Sequence, residues 1–182
     1  MIGPRIYQKK QAIKLIKKKG ATVLARCGKA LQNDYDVVIE ALSLDGDSIK
    51  HTSKRILADK NACIVALQRG GVIAYRTVAS LFPDDHFLAL LAVRRNGMLY
   101  PELTEVLQNS PDIVKSAITS CPRVITKISN HDMLRATLRE CLVDSKAIEL
   151  RHSIVTTLLE NNLGHLVDGM TAVHDFEIEN LD

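Results

Sequence analysis

Glycine returns down this chain at a nearly fixed interval. Gly20, Gly46, Gly71 and Gly97 stand 26, 25 and 26 positions apart, and Pro122 follows 25 further on. Twelve positions before the last four of these marks stand Asp34, Asp59, Asp85 and Ser110, residue types that cap helix N-termini. Five positions before the same marks stand Ala41, Ala66, Ala92 and Ala117. Self-similarity at a fixed period of this size is how stacked repeat proteins show themselves, because one unit cannot bury its apolar face alone.

Residues 85–109 give the clearest unit. Asp85 opens a helix whose Leu88, Ala89, Ala92 and Val93 occupy one face. Arg94 and Arg95 fall in its last turn, where positive charge offsets the helix dipole. Asn96-Gly97 is expected to end it, with glycine in the left-handed conformation. A second helix is predicted from Leu99, with Pro101 in its first turn and Leu103, Val106 and Leu107 facing inward. The expected fold is therefore all-α: a solenoid of stacked short helical hairpins, about five repeats of 25–26 residues, closed by a C-terminal helical cap. The units run over residues 8–33, 34–58, 59–84, 85–109 and 110–130, together a solenoid over 1–130, and Gln8 makes a weak first cap. The cap covers 131–174, with helices read at 132–143 and 146–161 and a break at Gly164. An acidic tail, 175–182, follows, and the whole reads as one globular domain.

At 182 residues the chain can bury a core without metals or disulfides, and with no Trp that core must be mostly aliphatic. Cys27, Cys63, Cys121 and Cys141 show no CxxC spacing. Cys63 takes a position filled elsewhere by Val38, Ala89 or Val114, so reduced, buried thiols are expected, as in a reducing compartment. No apolar run reaches the length of a membrane span, and Lys14 interrupts the only N-terminal apolar stretch that a Sec-type leader would use. His51, His86, His131, His152, His165 and His174 lack metal-ligand spacing; His131 and Asp132 read as helix-start residues. There is no phosphate-binding glycine loop and no placed Ser, His and Asp set. We therefore expect no catalytic residue, no cofactor and no metal site, and a protein that is not an enzyme.

Charge is distributed unevenly. Residues 1–30 carry Arg5, Lys9, Lys10, Lys14, Lys17, Lys18, Lys19, Arg26 and Lys29 and no acidic residue, whereas Asp175, Glu177, Glu179 and Asp182 close the chain. Two places before the period mark stand Lys18, Arg69 and Arg95, with Lys17 and Arg94 beside them. Aligned repeats would set these along one edge, interrupted by Leu44 and Asp45. Lys9, Lys10, Lys14, Lys17, Lys18, Lys19, Arg69, Arg94 and Arg95 are thus the candidate contacts for a partner or polyanion. The competing account is that last-turn basic residues merely suit helix C-termini. Only Tyr7 is available nearby to stack a base, which counts against single-stranded nucleic acid.

The segments Asp85 to Gly97, Asp34 to Gly46 and Asp59 to Gly71 share an order: Asp, two mostly polar positions (Phe87 excepted), aliphatics, Ala, and a closing glycine. Over residues 30–130 this resembles a bacterial and protist family of short helical repeats of unknown function. The resemblance implies the setting in which such repeats abound, proteins that intracellular bacterial pathogens deliver into host cells by type IV secretion. Glu177, Glu179 and Leu181 are similar to the glutamate-rich export signals of such effectors. Its motif is structural and carries over no catalytic residue. We accordingly expect a non-catalytic scaffold that binds a protein of host or bacterium, with a homodimer as a further option. It would act as an effector, or as a regulator or inhibitor of one. It would sit in the cytoplasm or, as an effector, be delivered to the host cell. The alternative is binding of nucleic acid or anionic lipid through the basic N-terminal helix.

Overall fold

The computed structural model describes residues 5–143 and 148–167. Among these residues the structure is all-helical with no strand, and one isolated parallel bridge pairs Ile6 with Cys27. The chain divides into two compact units, Met1–Arg95 and Asn96–Asp182.

In the first unit the α-helices are α1 (Lys9–Lys19), α2 (Lys29–Gln32), α3 (Tyr35–Leu44), α4 (Lys54–Leu57), α5 (Lys60–Arg69), α6 (Val72–Ala79) and α7 (His86–Arg95). The long ones, α1, α3, α5 and α7, pack successively side by side. A ten-residue helix such as α3 is marginal by itself, so this lateral packing is what holds it. The last three bury the same four places, Val37, Val38, Ala41 and Leu42 in α3, Ala62, Cys63, Ala66 and Leu67 in α5, and Leu88, Ala89, Ala92 and Val93 in α7, whereas α1 buries only Ala12 and Ile16. The capping aspartates act as expected. Asp34, Asp59 and Asp85 accept from the amides of Val37, Asn61 and Leu88 at 3.2, 2.8 and 3.0 Å. Gln8 provides no side-chain cap to α1.

Cys63 lies fully buried in this row. Burial, with Asp59 adding to it, pushes its thiol up to about 11, and the thiol donates to the Leu57 carbonyl at 3.3 Å. All four cysteines are free.

Outside residues 59–84 the second limb differs from the predicted helix. After α1 and α3 the chain forms six-residue 3-10 helices, Ala21–Arg26 and Gly46–His51, and then single α turns, α2 and α4. Val23 and Leu24, and likewise Ser48 and Ile49, are buried on the inner side. The 3-10 helix is self-limiting because its side chains eclipse at i and i+3. Thr52 and Ser53 then end the run and restart the chain, the Ser53 hydroxyl accepting from Ile56 at 3.4 Å. Only residues 59–84 carry a continuous α second limb, α6, whose N-terminus is capped across the repeat. The Asp47 carboxylate accepts from the amides of Gly71 and Ala74 at 2.8 and 2.9 Å.

The glycines also serve a different purpose from the expected one. Of those described, Gly20 alone has a left-handed φ, +91°. Gly46 is glycine because of a close approach: a Cβ built there would lie 1.8 Å from the Ala66 carbonyl oxygen. Gly97 repeats the arrangement in the second unit, 2.3 Å from the Ala117 oxygen. At these two places the periodic glycine and the alanine twenty residues on are two halves of one joint, whereas Gly20 and Gly71 have no alanine carbonyl against them.

The second unit contains the 3-10 helix Gly97–Glu102, α8 (Glu105–Gln108), α9 (Pro111–Ser120), the 3-10 helix Pro122–Lys127, α10 (His131–Val143), α11 (Ile148–Glu160) and the short 3-10 helix Gly164–Leu166. Pro101 therefore sits inside a 3-10 helix rather than opening an α-helix. Leu103 and Leu107 are buried, but Val106 is 72% exposed, contrary to the inward placement predicted for it. Breaking the limb at Leu103-Thr104 rotates Val106 outward. The Tyr100 hydroxyl donates to the Gln108 carbonyl at 3.0 Å and ties the two short pieces together. α10 packs on α9, and α11 packs on the 3-10 helix Pro122–Lys127. The cap of α10 is Asn130, which accepts from Met133 at 3.1 Å, rather than His131 or Asp132. Residues 144–147, the acidic tail and His174 lie outside the described residues.

Candidate partner-binding surface

All nine candidate residues lie in the first unit, and all are exposed. Six belong to α1. This helix buries Ala12 and Ile16, half-buries Ile13 and Leu15, and turns its lysines away from the core. They fall into two sets. Lys9 and Lys17 reach sideways to the neighbouring helix: Lys9 to Asp34 and Asp36 at 2.9 and 2.6 Å, and Lys17 to Glu40 at 3.5 Å. The Asp36 and Asp34 hydrogen bonds raise the Lys9 pKa above its ordinary value. Burial works to raise the Asp34 pKa, but Lys9 and the Val37 amide outweigh it and hold that carboxyl low. Lys10, Lys14 and Lys18 form the second set, one line along the outward side, with Lys19 at the helix end; none of these four has an acidic partner among the described residues.

Arg69 ends α5, and Arg94 and Arg95 end α7. Side-by-side packing sets them on the edge that also carries Lys17–Lys19, but α3 supplies the half-exposed Leu44 and Asp45 there. The edge is basic at both ends and interrupted in the middle, so the structure does not gather the nine into one continuous patch.

Sequence reasoning missed the acidic residues that answer the lysines. A signal for them was present, since Lys9 precedes Asp34 by 25 positions and Lys60 precedes Asp85 by 25. Lys60 bonds Asp85 at 2.5 Å, which holds the Asp85 carboxyl below its usual range, and it lies 6.0 Å from the ring centre of exposed Phe87. In the second unit Lys115 meets Glu140 at 3.0 Å, again 25 positions on.

A depression of about 100 Å³ lies between the 3-10 helices Ala21–Arg26 and Gly46–His51, lined by Thr22, Asp45, Asp47, Ser48 and His51 among others. It is smaller than a typical small-molecule site, and one Asp47 oxygen is committed to capping α6. Burial, helped by Lys50, lowers the His51 pKa. Among the described residues no group of three or more His, Cys, Asp or Glu could hold a metal ion, and no helix is long and apolar enough to cross a membrane.

Residues 88–135 match a family described as a domain of unknown function, DUF4116. The matched stretch contains two of the period marks, Gly97 and Pro122. No curated protein and no solved structure matches the chain.

Proposed function

We propose that the chain is a non-catalytic protein-interaction scaffold, a solenoid of about five stacked repeats that serves as a secreted bacterial effector or as a regulator or inhibitor of one. One observation carries this. Across α3, α5 and α7 the four buried places hold aliphatic side chains apart from Cys63, while the exposed and half-buried places equivalent to Lys10 and Lys14 of α1 change. Lys10 and Lys14 give way to Asp36 and Glu40, then to Asn61 and Val65, then to Phe87 and Leu91. A constant frame that presents a changing row of side chains is suited to reading an extended partner. Affinity capture from host and bacterial lysates, followed by reconstitution with the purified candidate, tests it. The expected result is one stable protein partner; reproducible substrate turnover with no such partner would refute it.

A second function, polyanion binding, is favoured by one specific observation, the absence of counter-charges around Lys10, Lys14, Lys18 and Lys19 among the described residues. Retention on heparin, duplex DNA and anionic liposomes should then fall steeply with salt. It should also fall when Lys14, Lys17, Lys18 and Lys19 are changed to Gln. Failure to bind any of the three at low salt would dispose of this alternative.

A further inference from the structure

We infer that the outward line Lys10–Lys14–Lys18 of α1 is a docking rail for an acidic helix of a partner protein, one whose carboxylates recur every fourth residue. This rests on the scaffold function proposed above and names the chemistry of its partner. The line is a spacing as well as a charge. Residues four apart on a helix are separated by about 6 Å along its axis, and like charges at that spacing repel one another. A matched row of carboxylates would relieve this repulsion.

The same helix already meets such a row on its flank. Lys9 engages Asp34 and Asp36, and Lys17 engages Glu40, all on or capping α3, which lies alongside. The outward line offers an incoming helix the chemistry that the inner flank uses within the fold. Two other anionic surfaces fit less well. A lipid face favours apolar side chains that insert beside the charges, and none of the exposed large hydrophobic residues lies on α1. Nucleic acid favours arginine forks and stacking aromatics, and α1 contains neither Arg nor an aromatic residue.

The test uses two labelled, alanine-rich helical peptides of identical composition, one with three glutamates at i, i+4 and i+8 and one with the three adjacent. Binding to the 182-residue chain is read by fluorescence anisotropy at low salt, beside duplex DNA and phosphatidylserine vesicles as competing probes. The spaced peptide should bind several-fold more tightly than its isomer. The K10Q/K14Q/K18Q variant should lose that preference while melting at the native temperature, and K29Q, also exposed but off the line, should keep it. Equal binding of the two peptides, an unchanged triple variant, or line-dependent binding of DNA or vesicles in place of the peptides would each overturn the rail. A protein partner captured equally by native and triple-variant protein would overturn it too while leaving the scaffold function standing, so the two fail separately.

Discussion

Replacing Gly46 by alanine tests the joint between the 3-10 helix Gly46–His51 and α5 with a single methyl group. The added Cβ would stand 1.8 Å from the Ala66 oxygen and 2.4 Å from the Gly70 nitrogen, where 3.4–4 Å is ordinary contact. Both obstacles are backbone, so no side chain can turn aside. α5 must retreat from the 3-10 helix Gly46–His51, or the peptide at position 46 must rotate. Overpacking of this kind costs about 1–3 kcal/mol, and the backbone clash puts Gly46→Ala at the upper end, about 3 kcal/mol. For a chain of this length that is a fall in melting temperature of roughly 6–12 °C. Gly97→Ala, 2.3 Å from the Ala117 oxygen, should behave alike in the second unit. Gly164→Ala is the control, since nothing lies within 4 Å of its added Cβ; a change within about 0.5 kcal/mol is expected. Urea unfolding followed by far-UV circular dichroism gives the midpoints. A Gly46→Ala protein as stable as the Gly164→Ala control would falsify the joint and the packing derived from it.

Enlarging Ala66 or Ala92, both buried on the helix-packing face, to leucine should cost about 1–3 kcal/mol; native-like melting of both would show that the inward face is misplaced. Val106→Ser should be nearly neutral, whereas Leu107→Ala, one residue on but buried, should cost about 2–5 kcal/mol in the same unfolding assay. Because the Lys60 hydrogen bond lowers the Asp85 pKa, the stability that this carboxylate adds is present above its unfolded pKa and is lost as pH falls through the folded one. Asp85→Asn keeps the cap and removes the charge, so its stability should decline less than the native protein's between about pH 4 and pH 2; parallel acid titrations would refute this. At pH 8 a thiol reagent should label half-buried Cys121 well before Cys63, which is buried and nearly fully protonated; equal rates, measured by peptide mapping, would count against the core position of Cys63.

The long helices were legible because their signals are local. Asp85, Leu88, Ala89, Ala92 and Val93 announce a cap and a face within nine positions, and Asp34 and Asp59 do the same less fully. The second limb was misread because Leu99, Leu103, Val106 and Leu107 imitate an α-helical stripe, while the decisive break at Leu103-Thr104 carries no glycine. Glycine's purpose was hidden for another reason. The Ala66 carbonyl that forbids a Cβ at Gly46 is twenty residues away in sequence, so the periodic glycine and alanine were each visible while the contact between them was not. On the candidate surface, the exposure of α1's lysines followed from its apolar face. Which lysines are neutralised depended on the register of α1 against α3, fixed only by packing.

The Gly46–Ala66 and Gly97–Ala117 joints bear on how such a chain can grow. One half of each is a peptide oxygen, present in every residue, and the other half is the lack of a side chain. Tandem duplication of about 25 residues would copy an alanine that fits the preceding segment and a glycine that receives the following one, so a new segment arrives with matched edges and needs no compensating substitution. Drift is tolerated as well. Gly71 has only the Asp47 carboxylate near its would-be Cβ, at 3.7 Å, and there a full α-helix has replaced the 3-10 helix, held by that same carboxylate.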